Sequence, residues 1–301
     1  MKIDITYSDS GLLDMDMIIR RLTMYGACAE AYTDPSQENF VSGVTKLLIG
    51  VGDLLGKLAF TFKANTTRFY KDLKRSEMTE FSESHLMKIN KVESASYEAF
   101  MDISVPGPTG LNCDYLTAVE ALSNLYKTLD ITVTMEQYGE ALTSVFRSLS
   151  QENGQHNTIL NQLAVAQAPK LAKAKAAYAK FNNCFSKIES TGMEKFSKAY
   201  KSMSAFREVR QLLIAMEPQL QQVSGVYSAL KDVEAKVDAI ISHLNKTNTP
   251  VAPSFVKNLA DEVRYLATLL DMTATANTAQ SALEHNHIVV LNTLYDAVWP
   301  V

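Results

Sequence analysis

The sequence predicts an all-α protein: an elongated multi-helix bundle with long coiled-coil-like helices and one small extended or loop region near residues 94–112. Three observations predict it. The first is an unbroken 3-4 apolar repeat from Phe206 to Leu244, with its seam at Phe206, Val209, Leu213, Met216, Leu220, Val223, Tyr227, Leu230, Glu234, Val237, Ile241 and Leu244. All but Glu234 are apolar, and Val233 partly covers that exception. A seven-residue repeat keeps one seam facing a partner along its length. Such a helix runs roughly 58 Å at about 1.5 Å per residue, and it buries its seam only against other long helices, of this chain or another. The second observation is the small number of chain breakers, 12 Gly and 8 Pro in 301 residues. The third is coverage: the helices assigned below fill roughly four-fifths of the chain, against a base rate of about a third.

Taken in order, Lys2–Tyr7 alternates Ile3 and Ile5 with polar residues and reads as a short strand. Ser8, Asp9 and Ser10 offer N-cap oxygens for a helix over 12–32, which Asp34-Pro35-Ser36 ends. A second helix over 37–74 has its own seam: Val41, Val44, Leu48, Val51, Leu55, Leu58, Phe62 and Phe69. Gly52 and Gly56, four apart on one face, let a neighbouring backbone approach closely. Ser76 caps a third helix to residue 92, with Glu77, Glu80 and Glu83 at its start, where the helix dipole favours anions. Residues 97–105 read as extended, and Val105-Pro106-Gly107-Pro108-Thr109-Gly110 as a loop.

Helices resume over 113–129 and 134–150, broken at Asn153-Gly154. The next, over 157–189, carries Leu160, Ala164, Leu171, Ala174, Tyr178, Phe181, Phe185 and Ile188, with a kink expected at Pro169. Thr191-Gly192 ends it, and Ser204 starts the rod, itself bent at Pro218. The short turn at 245–253 makes the rod an antiparallel neighbour of a last helix running from Ser254, through Val256, Leu259, Val263, Leu266 and Leu270, to about Trp299. The domain reading is an N-terminal helical region over 1–110 and a long-helix bundle over 111–301, compatible with one continuous domain.

Composition narrows the function classes. Apolar content of 47% and 21% charged residues suit a folded domain with a large core. A net charge of −4 argues against nucleic-acid binding by the whole chain. Cys28, Cys113 and Cys184, an odd number far apart, read as three buried thiols in a reducing compartment. The N-terminus has no apolar run of a secretion signal, and the most apolar stretch, Leu47–Phe62, is interrupted by Asp53 and Lys57, so no transmembrane segment is expected.

No complete chemical constellation emerges, so no catalytic residue, cofactor, metal or small-molecule substrate is assigned. Gly50, Gly52 and Gly56 lack the strand and helix start of a dinucleotide fingerprint. Glu284 and His287 have the spacing used in carboxylate di-iron bundles, but the chain holds no second Glu-x-x-His, and His285 points to another face. His85, His156, His243, His285 and His287 adjoin no nucleophile signature. Residues 170–210 are basic: Lys170, Lys173, Lys175, Lys180, Lys187, Lys195, Lys198, Lys201, Arg207 and Arg210 against Glu189, Glu194 and Glu208. That surface either meets an anion or is a solvated bundle face answered by acidic neighbours. The Leu47–Phe62 seam suits bundle core, with a membrane-inserting helix as the alternative.

Three segments carry a resemblance: Leu73-Lys74-Arg75-Ser76-Glu77 after a helix ending in Phe69-Tyr70, Leu171-Ala172-Lys173-Ala174-Lys175-Ala176-Ala177-Tyr178-Ala179-Lys180-Phe181, and Arg207-Glu208-Val209-Arg210-Gln211-Leu212-Leu213. Together, over residues 40–244, they resemble the helical internal-head and virion structural proteins of large (jumbo) tailed bacteriophages. The resemblance implies a non-enzymatic, multicopy protein located in the virion and assembled in the host cytoplasm. Its partners would be other virion proteins or itself, with packaged nucleic acid at the basic face. Head-maturation cleavage after Glu98 or Glu38 fits the same family, although the N-terminus reads as folded helix and not as a propeptide. Two alternatives stay open: a membrane-active, pore-forming-like helical protein, and an enzyme or nucleic-acid-associated helical protein.

Overall fold

The computed structural model describes residues 14–32, 40–75, 83–108, 111–185, 191–221, 223–247 and 249–299. They form an all-α protein with long helices and one small two-stranded ribbon. In chain order the helices are α1 (Met15–Ala31), α2 (Phe40–Arg75), α3 (Glu83–Ser94), α4 (Tyr115–Leu129), α5 (Ile131–Ser150), α6 (His156–Cys184), α7 (Phe196–Ala199), α8 (Met203–Gln221), α9 (Val223–Thr247) and α10 (Pro253–Val298). The strands are β1 (Ser104–Pro108) and β2 (Thr191–Lys195). The strand expected at 2–7, the cap at Ser76 and the cap at Ser8–Ser10 lie outside the described residues. The described cap of α1 is Asp14, whose carboxylate accepts from Asp16 N.

The described residues form two compact units, each assembled from three stretches: one within Met1–Thr66, Asp130–Ala172 and Val223–Met272, the other within Thr67–Leu129, Lys173–Gln222 and Thr273–Val301. In the first unit, α5 packs closely against α9. The glycine face of α2 lies on α9: a Cβ built at Gly52 would sit 2.7 Å from Ile241 Cδ1, and one at Gly56 3.0 Å from Glu234 Oε1. Absence of side chains here admits the Ile241 and Glu234 side chains of α9 against the α2 backbone, where the spacing predicts a close approach of backbones. The apolar run of α2 is core, with Leu48, Val51, Leu54, Leu55, Leu58, Ala59 and Phe62 all buried. No described helix is long and apolar enough to cross a membrane. The first part of α10 buries Phe255, Val256, Leu259, Val263, Leu266 and Leu269, more than one face, as expected of a helix surrounded by others.

In the second unit α4 packs against α8, and Phe100, Tyr115, Phe196, Tyr200 and Phe206 form a buried aromatic cluster. Tyr115 stacks on Tyr200 at 4.8 Å between ring centroids, and Phe206 meets Tyr200 edge-on at 5.0 Å.

Several expectations are corrected. The 206–244 seam falls on α8 in one unit and α9 in the other, on either side of residue 222, which lies outside the described residues. α8 packs against α4 and also meets the last helix through Phe206 and His287, and α9 packs against α5. In α9 the fully buried stripe is Val226, Leu230, Val233, Val237, Ile240 and Leu244. It shares every second position with the expected seam, but Val226, Val233 and Ile240 replace Tyr227, Glu234 and Ile241. That choice is wholly apolar and frees Glu234 to pair with Lys231 at 2.5 Å. In α6, Leu163 and Gln167 are buried where Ala164 is exposed.

The extended segment is also displaced. Tyr97–Ala99 is a single 3-10 turn, and the strand is Ser104–Pro108, the Pro-Gly-Pro stretch read as loop. It pairs antiparallel with Thr191–Lys195, with Val105 opposite Glu194 and Gly107 opposite Gly192. Each strand of a two-stranded ribbon has an unpaired edge, so Pro106 and Pro108, two apart, can turn their missing N–H groups outward together. The thiols differ too: Cys184 is buried, Cys113 half-buried and Cys28 exposed. Cys28 falls off the α1 stripe of Ile18, Leu22, Gly26 and Ala29 that faces the core.

Candidate functional site

The most chemically varied region lies in the second unit, where the last part of α10 turns polar. Asn277, Gln280, Glu284 and His287 recur at 3, 4 and 3 residues and so share one face, inside the unit. Tyr126 OH from α4 donates to Asn277 Oδ1 at 2.7 Å, and Gln280 Nε2 donates to Glu284 Oε1 at 2.8 Å. His287 Nδ1 is hydrogen-bonded to Tyr200 OH at 3.0 Å, and its ring stacks on Phe206 at 4.4 Å. Asn277 Nδ2, Gln280 Oε1, Asn286 Nδ2 and His287 Nε2 have no protein partner. Burial without full pairing costs each of these groups free energy.

The charge states follow from that burial. Desolvation raises the Glu284 carboxyl to about 7, against the Gln280 hydrogen bond and with help from nearby Glu217. Desolvation, with the Arg210 guanidinium, depresses the His287 imidazole to about 3, so it is neutral near pH 7. The first unit holds a related pair: Tyr138 OH donates to Glu262 Oε2 at 2.5 Å, and burial raises that carboxyl to about 7.

These residues do not assemble a metal site. Glu284 and His287 face inward while His285 is exposed, and among the described residues no three His, Cys, Asp or Glu side chains are placed to hold an ion. The Gly50, Gly52 and Gly56 set lies wholly within α2, with no strand-to-helix turn to cradle a phosphate.

On the same unit a cavity of about 470 Å³ opens beside Asn112, Cys113, Asp114, Tyr115, Glu194 and Lys201, next to one of about 300 Å³ that shares Asp114 and Lys201. Asp114 starts α4 by accepting from Thr117 N at 3.0 Å and also holds Lys201 at 2.6 Å. Burial pushes the Asp114 carboxyl up, but Lys201 and Thr117 outweigh it and leave it below the usual carboxylate range. The buried Tyr115 hydroxyl has no protein partner. Burial, together with the neighbouring Cys184 thiol, pushes the Cys113 thiol up to about 12. Sequence reasoning missed this thiol pair, since nothing in the local pattern of either cysteine points to the other.

The seam residues Phe206, Val209, Leu213, Met216, Leu230, Val237 and Leu244 are buried within the chain. Tyr227 and Ile241 are half-buried, and the side chains of Leu220 and Val223 lie outside the description. On the basic surface, Lys170 donates to Gln137 Oε1 at 2.8 Å, while Lys173 and Lys180 are exposed and Lys187 lies outside the described residues. Lys195 pairs with Asp102 at 2.7 Å and Lys198 with Glu194 at 3.7 Å, beside the Lys201–Asp114 pair. Arg210 grips the Glu93 carboxylate at 2.7 and 3.1 Å, and Arg207 donates to the Glu93 carbonyl. Much of the basic segment is therefore answered by carboxylates of its own unit.

No protein-family model, curated protein or solved structure matches this chain.

Proposed function

We propose that this protein is a non-enzymatic structural component of the virion of a large tailed bacteriophage, acting by helix packing with other virion proteins or with copies of itself. The observation that supports an assembly role is the outward face of α6. Val165, Ala168, Ala172, Ala176 and Ala179 follow one another at 3 or 4 residues and are all exposed, Val165 at 76%. Such spacing forms a shallow apolar stripe, suited to close approach by another helix. Lys173, Lys175 and Lys180 are exposed beside it. They are the cations to test against packaged nucleic acid. The same helix contains the Leu171–Phe181 segment on which the phage resemblance partly rests.

The test is the protein inventory of purified particles. We expect the chain in particles, in multiple copies that survive washing in high salt. Its recovery wholly in the soluble fraction of infected cells, with none in purified particles, would overturn the reading.

A further inference from the structure

We propose that Cys113 and Cys184 are a disulfide-forming pair, an oxidative modification site served by the cavity in front of α4. The backbone brings them together. Leu111 and Phe185 form an antiparallel bridge, and Asn112 N donates to the Cys184 carbonyl at 2.8 Å. Asn112 Nδ2 adds a second tie to the Asn183 carbonyl at 3.3 Å. This short ribbon sets the last residue of α6 beside the residue that follows Asn112, and the Cys184 thiol lies near enough to help keep the Cys113 thiol protonated. Neither sulfur is already engaged in a disulfide. Access is one-sided: Cys184 is buried, while half-buried Cys113 lines the cavity of about 470 Å³. A small hydroperoxide reaches Cys113 first.

The chemistry closes without any further reactant. The Cys113 sulfur attacks the peroxide, its O–O bond breaks, and Cys113 becomes a sulfenic acid while the peroxide leaves as alcohol or water. The Cys184 sulfur then attacks that sulfenic sulfur, an S–S bond forms, and the hydroxyl departs as water with the Cys184 proton. Two electrons pass from the thiols to the peroxide. Because the thiolate is the nucleophile and burial keeps Cys113 protonated, oxidation is slow at neutral pH and accelerates as pH rises. The product ties the end of α6 to the start of α4 and closes a loop of about 70 residues, which constrains the unfolded chain.

The experiment uses the full chain carrying Cys28→Ser, a change at an exposed position that removes intermolecular pairing. The folded protein is exposed to hydrogen peroxide at neutral and alkaline pH, then alkylated under denaturing conditions and digested without reductant. We expect the intact mass to fall by two hydrogen atoms, both thiols to become unreactive together, and one cross-linked peptide to join Cys113 to Cys184. A reductant should restore both thiols, and the oxidised form should melt at higher temperature. Retention of two alkylatable thiols, or over-oxidation of Cys113 while Cys184 stays free, would overturn the proposal. Prior unfolding in denaturant, which separates the pair, should abolish the intramolecular cross-link. A cross-link equally efficient in the unfolded chain would show that the fold does not direct it.

Discussion

At the scale of single residues, two positions stand against their surroundings. Gly52 is buried where α2 meets α9, and any side chain there must displace Ile241, 2.7 Å from the first added carbon. Overpacking of this kind costs about 1–3 kcal/mol, so Gly52→Leu should lower the melting temperature, while substitution at exposed Gly154 with Asn, which tolerates a φ of 71°, should leave it nearly unchanged. Equal melting of Gly52→Leu and the parent would show the contact to be open. Glu284 is the second. Its carboxyl is raised from an ordinary 4.5 to about 7 by burial. Between those values the folded state holds a proton that the unfolded state has released, so stability falls as pH rises through this window and is flat above it. The cost of ionising Glu284 above pH 7 is on the order of 3 kcal/mol. Glu284→Gln, neutral at every pH, should melt higher than the parent at pH 8 and about level with it at pH 5. The same difference at both pH values would refute burial of the charge as its cause.

The helices show how closely a sequence pattern approaches the packing it encodes. In α9 the heptad spacing is present, yet two overlapping stripes satisfy it over Val226–Leu244. The neighbouring helices select the one containing Ile240, which is 0% exposed, over the one containing Ile241, which is half-buried. Two adjacent isoleucines therefore make a matched comparison. Ile240→Ala should cost about 2–5 kcal/mol, the range for a fully buried aliphatic chain, and Ile241→Ala clearly less. The reverse order in denaturant titrations would place the seam where the repeat alone had it. The ribbon makes the opposite point. Pro106, Gly107 and Pro108 have poor strand propensity, and they are extended only because Thr191–Lys195 supplies a partner.

For the whole molecule, circular dichroism should report well over half helix; a value near the base rate of about a third would contradict the fold. Proton linkage also sums over the molecule. Glu262 in one unit and Glu284 in the other are both raised to about 7, while His287 is depressed to about 3. The histidine stabilises the fold progressively as pH climbs from about 3 to its unfolded value near 6.5. The two carboxyls destabilise it from about 4.5 to 7, so two opposing protons outweigh one. The contribution of these three groups peaks at about pH 4.5, declines to pH 7 and then levels, and the double variant Glu262→Gln, Glu284→Gln should remove that decline. Melting temperatures that rise from pH 5 to pH 8 in the parent would contradict these charge states.

By itself the sequence determined the helical class and the placement of most described helices, because apolar periodicity and sparse Gly and Pro are local properties. It also located the close approach at Gly52, since the spacing of small residues in one helix requires no knowledge of the neighbour. Of the polar face of Asn277, Gln280, Glu284 and His287, only the Glu284–His287 spacing was legible in the sequence; the other two members and the burial were not. Tertiary structure alone decided which helices pair, which of two overlapping stripes is core, and that Cys113 meets Cys184. The reason is one of range: a heptad shows that a face will be covered but not by what. Contacts between residues about 70 positions apart depend on chain closure and packing, which leave no periodic trace in the chain.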